Sequence, residues 1–238
     1  MKNLRESAIL GHVAQKMQIY KNLPEQVPLK SLMNIDLSTP YNKVSEVFTS
    51  YRAFAKTHGA QHTKNVLLFA NYLGAKKGIH PVDMEIINEA AVYHDLLHVK
   101  AGNVKHAEAG ANWYLENGRD DISKSEVAFL IEAHEIGHKR YKALLDERFP
   151  DITETHKNLL IKCLEVLQDA DKLDIFRYEI ENPSWQRFDP TRLNDPQSAE
   201  LMSASLELNV RQSLDSGYLQ VKDGQIIKAK IISKQKRL

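Results

Sequence analysis

Apolar residues recur at i, i+3 and i+4 through most of this 238-residue chain, and that period commits it to packed helices rather than sheets. Residues 3–20 read as a short amphipathic helix, ended by Pro24 and Pro28, with 25–42 loop-like around these prolines and Pro40. From Tyr41 to about His58, Val44, Val47, Phe48, Tyr51, Phe54 and Ala55 keep the helical spacing. A second stripe opens at His62 and runs through Val66, Phe69, Ala70 and Leu73 until Gly74 or Gly78 stops it. Pro81, with Asp83 and Glu85 in its first turn, starts a helix along Ile86, Ile87, Ala90, Ala91, His94 and Leu97. His106–Asn117 is a further helix, closed by Gly118. Ser123 and Glu126 form a capping-box pattern for a helix to about Lys139. Thr153 or Thr155 caps a longer one to about Tyr178.

The end of the chain differs. Pro183, Pro190 and Pro196 interrupt residues 183–197, and a short helix follows at 198–214. Asp223-Gly224 between Tyr218-Leu-Gln-Val and Ile226-Ile-Lys-Ala-Lys-Ile-Ile signals a β-hairpin. The basic last eleven residues read as a solvated tail. The expected fold is mainly all-α, a helical bundle with a small C-terminal β-hairpin. Its expected parts are an N-terminal helix and loop (1–40), a helical domain (41–182) and a C-terminal extension (183–238).

Composition excludes several classes. With 32 Lys plus Arg against 31 Asp plus Glu, the chain lacks the basic excess expected of a general nucleic-acid binder. The single cysteine, Cys163, cannot form an internal disulfide. No run approaches the roughly 18 apolar residues of a membrane span. The first twenty residues carry charge throughout and have no secretory pattern, so a cytoplasmic setting is expected, without membrane association.

The inward stripes also carry residues that do not belong in an oily core. His94 continues the line of Ile87, Ala90 and Ala91, and Asp95 follows it. His62 lies on the apolar side of its own helix. Leu160, Leu164, Leu167, Asp171, Asp174, Ile175 and Tyr178 share one stripe, whereas Asp169 falls about 200° from Asp171 and is expected to face solvent with Lys162 and Glu165. A buried carboxylate such as Asp171 is costly unless a cation accompanies it. Two imidazoles and two carboxylates suit a borderline divalent ion and leave positions for water and substrate.

The order His62, His94-Asp95, Asp171, with spacings of 32 and 76 residues, resembles the signature of the HD-domain metal-dependent phosphohydrolases. The resemblance covers about residues 41–180. It is carried by Gly59-Ala-Gln-His62-Thr-Lys-Asn-Val-Leu, Ala90-Ala-Val-Tyr-His94-Asp95-Leu-Leu-His98 and Gln168-Asp-Ala-Asp171-Lys-Leu-Asp174. It implies His62, His94, Asp95 and Asp171 as ligands of a divalent metal ion, with Mn, Fe, Zn, Ni, Co and Mg all candidates. His106 and His134 look like the extra histidines that hold a second metal or grip phosphates in some members. Lys172 sits where some members contact substrate phosphate, and His98 lies one turn after His94. The implied substrate is a nucleotide or another small phosphorylated metabolite, and a homo-oligomer is compatible with the family. Leu96-Leu97-His98 stand where guanosine-tetraphosphate hydrolases carry an acidic pair, and no glycine-rich segment of the cyclic-di-GMP phosphodiesterase kind follows His134.

Two other readings compete. His134-Glu135-Ile136-Gly137-His138 spells H-E-x-x-H, which on a helix would build a zinc metalloprotease site. Its charged surroundings, with Glu132, Lys139 and Arg140, are unusual for such a site. Alternatively the metal is a staple in a non-catalytic binding module, with the hairpin and basic tail as its partner surface.

Overall fold

The structure, a computed structural model, describes residues 2–50, 59–98, 106–181 and 188–229. The expected helical stretch at 51–58, the proline at 183 and the basic tail beyond 229 lie outside these residues. The chain forms α1 (Lys2–Met17), α2 (Leu29–Leu32), α3 (Ser38–Ser50), α4 (Ala60–Lys76), α5 (Pro81–Tyr93), α6 (His106–Asn117), α7 (Lys124–Ala133), α8 (His138–Arg148), α9 (Glu154–Leu173), α10 (Phe176–Glu181) and α11 (Met202–Asp215). Two 3₁₀ turns, Pro190–Arg192 and Pro196–Leu201, precede α11, and the strands β1 (Leu219–Lys222) and β2 (Gln225–Lys228) follow it. The expected helical class and terminal hairpin are both present. Among the described residues no helix is long and apolar enough to cross a membrane.

Helix α9 is the axis of the fold, packed against α4, α5 and α7, with α6 on α7 and α3 on α4 and α5. Its stripe of Leu160, Leu164 and Leu167 is buried, each side chain contributing about 1.5–3 kcal/mol. The chain then folds back: α11 packs on α1 and α10, and the hairpin lies over α1 and α11. The strands pair Leu219 with Lys228 through Lys222 with Gln225. Asp223 (φ 51°) and Gly224 (φ 75°) both adopt the left-handed conformation that a tight hairpin turn of this twist requires.

Several helix boundaries depart from expectation for local reasons. Helix α3 begins at Ser38 rather than Tyr41, because Pro40 is tolerated within a first turn. Residues 25–42 contain the short turn α2, and Val27 N–H bonds the Glu200 carbonyl at 2.8 Å, tying this loop to the C-terminal segment. Thr153 caps α9 as expected, its hydroxyl accepting from His156 N–H. The Ser123 capping box does not form: Ser123 Oγ lies 3.3 Å from Ser125 Oγ, and Glu126 is drawn instead to His156 Nε2 at 2.7 Å. Three helices end early, at Tyr93, Ala133 and Leu173, and the residues just beyond those ends, His94-Asp95, His134 and Asp174, build the site.

Candidate metal centre

Each early helix end re-aims a side chain. After Tyr93 the backbone tightens, with Leu96 N–H bonded to the Tyr93 carbonyl and His98 N–H to that of Asp95, so that His94 and Asp95 turn toward the same space. His62 reaches it from the first turns of α4, and Asp171 from the last turn of α9. His62 Nε2 lies 3.2 Å from His94 Nε2, 3.2 Å from Asp171 Oδ1 and 3.4 Å from Asp95 Oδ2. His94 Nε2 lies 3.3 Å from Asp95 Oδ2 and 3.9 Å from Asp171 Oδ1. His62, His94 and Asp95 are buried, whereas the Asp171 side chain keeps 29% of its surface exposed and marks the open side.

The second oxygen of Asp95 faces another cluster. Its Oδ1 stands 3.1 Å from His106 Nε2 and 3.7 Å from His134 Nε2. Glu135 adds Oε2 at 3.6 Å from His106 Nε2, with half its side chain exposed. Asp95 therefore stands between two ligand groups, one oxygen turned to each.

The tautomers decide what these rings can do. His94 Nδ1 is 2.8 Å from the Ala91 carbonyl and His134 Nδ1 is 2.7 Å from that of Ile131. A carbonyl can only accept, so each Nδ1 carries the proton and each Nε2 offers a lone pair inward. His62 Nδ1 lies 2.8 Å from Asp174 Oδ2, the carboxylate–histidine arrangement common behind metal ligands. The inward atoms of His62, His94, Asp95 and Asp171 are thus lone pairs facing lone pairs. Such an arrangement repels itself unless a proton or a cation lies within it. Burial and Arg177 act to lower the His62 pKa, yet Asp171, Asp174 and Asp95 outweigh them and raise it well above the ordinary imidazole value. Without a metal the site draws in a proton. Burial opposes ionisation of Asp171, but His62 and His94 hold its carboxyl below the usual range. At His134, burial and then His94 depress the pKa to about 4, so that ring is a neutral donor at physiological pH. The donor set therefore fits a divalent cation. His62–His94–Asp171, His94–Asp95–His134 and His106–His134–Glu135 are each compact enough to hold one.

Residues 59–175 match the family model of the HD domain. The chain belongs to the HD-domain superfamily. Its matched span begins just before α4 and ends just after α9, so it takes in every residue of both clusters. No curated protein and no solved structure matches the chain. The superfamily is one of metal-dependent phosphohydrolases.

The other expected site residues divide. His106 and His134 join the cluster. His98 lies at its edge, its ring 4.7 Å from that of His106. Lys172 instead points to the far side of α9, with Nζ 3.8 Å from Asp169 Oδ1. Asp169 is a correction. It is fully buried rather than solvent-facing, because residues 194–198 cover that side of α9. Asn194 N–H, Asp195 N–H and Ser198 Oγ–H all donate to its carboxylate, at 2.7, 3.0 and 2.9 Å. The H-E-x-x-H reading also fails on geometry. His134 follows the end of α7, Gly137 precedes α8, and His138 opens α8, exposed and paired with the Tyr141 hydroxyl. The two imidazoles do not share a helix face.

Sequence reasoning missed the support behind His62. Asp174 was visible on the inward stripe, one turn after Asp171. Its partners Asn65, Asn209 and Arg177, at 2.7, 3.1 and 2.8 Å, carried no local signal.

Proposed function

We propose that this protein hydrolyses a phosphate ester, a nucleotide or another small phosphorylated metabolite, with one or two divalent ions held by the cluster. The observation that carries this reading is the convergence of the inward Nε2 atoms of His62 and His94 on the carboxylates of Asp95 and Asp171. These four residues would hold one ion. Asp95 Oδ1, His106, His134 and Glu135 would hold a second. A bound divalent ion lowers the pKa of water toward neutrality and polarises a phosphoryl oxygen. Asp171, on the open side, orients the attacking water through its carboxylate. The hydrolysis adds water across the P–O bond: the water oxygen joins phosphorus, and the leaving oxygen departs as an alcohol. His98, at the cluster's edge, would donate a hydrogen bond to a phosphoryl oxygen as charge builds there. Lys172 would reach the phosphate only by leaving Asp169.

The ligand set, with the Nδ1 atoms of His62, His94 and His134 each held by an acceptor, favours catalysis over a stapled binding module, since a staple needs no solvent-facing carboxylate. The test is a panel of nucleotides, sugar phosphates and a chromogenic phosphate ester, offered to protein reconstituted with Mn²⁺, Fe²⁺, Co²⁺, Ni²⁺, Zn²⁺ or Mg²⁺. Phosphate release that Asp171→Ala abolishes supports the reading. Metal-loaded, folded protein that releases phosphate from none of them refutes it.

A further inference from the structure

The residues beyond the matched HD span reach back into the metal centre. Helix α11 presents Ser205, Asn209 and Gln212 to the junction where α9 ends. Ser205 Oγ–H donates to the Leu173 carbonyl at 2.6 Å. Asn209 Nδ2–H donates to Asp174 Oδ1 at 3.1 Å and to the Ser205 carbonyl at 3.0 Å. Asn65 Nδ2–H, from α4, donates to the same Asp174 oxygen at 2.7 Å, and Gln212 pairs with the Asn65 amide in both directions, at 2.8 and 3.1 Å. The other oxygen of Asp174 receives His62 Nδ1–H and Arg177 Nη1–H, both at 2.8 Å. Among the described residues, the contacts of this buried carboxylate thus divide between an amide side and the side that faces His62.

Packing alone does not explain Asn209. It is buried in the interior of α11, beside Leu206 and Val210, where asparagine is a poor helix former and a buried amide is unfavourable unless bonded. An aliphatic residue would fill that position. What the amide adds is a fixed rotation of Asp174. If Oδ1 is free to turn, Arg177 competes with His62 for the whole carboxylate, and the imidazole loses the acceptor that defines its tautomer. A second arm works on the opposite side. Asn194 Nδ2–H donates to Gln168 Oε1 at 2.9 Å. Gln168 Nε2–H in turn donates to the carbonyls of Ala133 and Ile136, at 2.8 and 2.9 Å, bracketing His134 and Glu135.

We propose that Asn209 is a positioning residue of the metal centre: with Asn65 it fixes Asp174, and Asp174 fixes His62 with Nε2 aimed inward. This rests on the metal-centre reading above, but it is testable without it. Asn209→Leu keeps the apolar packing and removes the donor. Two quantities are measured on wild type and variant. One is the His62 Nδ1 proton, followed by NMR as a ring N–H resonance protected from solvent exchange. The other is Mn²⁺ affinity, by competition with a chelator. The expected result is a protected proton in wild type, rapid exchange in Asn209→Leu, and Mn²⁺ binding weakened about tenfold or more. A variant that keeps either the protected proton or wild-type Mn²⁺ affinity overturns the proposal. If wild type itself binds no metal, the metal-centre reading fails and the ring proton alone decides the positioning. Should Asn209→Leu not fold, Asn209→Ala, which adds no bulk, is held to the same two outcomes.

Discussion

Asp169→Ala should destabilise the protein strongly. Its carboxylate is the acceptor for three donors of the C-terminal segment, Asn194 N–H, Asp195 N–H and Ser198 Oγ–H. Hydrogen bonds to a charged group contribute about 1.5–3 kcal/mol each. The carboxylate's own burial, which is the largest influence on Asp169 and raises its pKa, offsets several kcal/mol of that gain. Truncation also leaves three donors facing an apolar methyl, so the net loss should be about 2–4 kcal/mol. For a chain of this length the middle of that range lowers the melting temperature by about 6–12 °C. Thermal and urea denaturation measure the loss. Limited proteolysis locates it, since cleavage should rise first around residues 188–201. A melting temperature within about 1 °C of wild type would refute the reasoning, and would mean that the segment is anchored elsewhere.

Further outcomes follow from other sites. His134→Ala should reduce the number of ions bound per chain while leaving an ion at His62–His94–Asp171, read by elemental analysis after reloading; loss of all metal would show that the two clusters are not separable. The Asp174 carboxyl, despite its burial, is held below its ordinary value by Arg177, His62 and Asn65. Its folded value is thus below its unfolded one, so this stabilisation is present above the unfolded pKa and fades as pH falls through the folded one. Asp174→Asn should therefore lose stability at neutral pH, with the gap to wild type narrowing below about pH 4 in urea titrations; a constant gap contradicts this. Burial pushes the Cys163 thiol up to about 12, so native protein should resist a thiol reagent at about pH 8, where a free cysteine reacts. Fast labelling without denaturant would disprove it. Glu89 is buried between Lys43 and the Tyr114 hydroxyl, at 2.6 and 3.0 Å. Lys43→Ala should cost about 1–3 kcal/mol after allowing for the partial exposure of the lysine, read by urea denaturation; a loss below about 0.5 kcal/mol would show that water replaces it.

The helical class, the hairpin and the convergence of His62, His94, Asp95 and Asp171 were legible because each leaves a local mark. A 3.6-residue period shows an inward face, Asp-Gly between β-branched runs shows a turn, and His or Asp on an apolar stripe shows a buried charge in need of a partner. What was illegible depends on contacts distant in sequence. Asp169 sits on the polar side of the α9 pattern, yet residues 194–198 cover that side. Nothing near Asp169 announces them. The same holds for Asn209 behind Asp174. Helix ends were misplaced where the site overrides propensity: the sequence continues helix-like past Tyr93, Ala133 and Leu173, but the chain bends there to aim His94, Asp95, His134 and Asp174. H-E-x-x-H misled for that reason too, since one helix ends at Ala133 and a new one opens at His138, with Gly137 extended between them.

The central claim is that lone pairs of His62, His94, Asp95 and Asp171 converge to hold a divalent cation. Elemental analysis of purified protein, stripped with chelator and reloaded, tests it directly. Wild type should retain at least one divalent transition ion per chain after desalting, and His94→Ala and Asp95→Ala, if folded, should retain far less. Equal metal content in wild type and both folded variants would contradict the account.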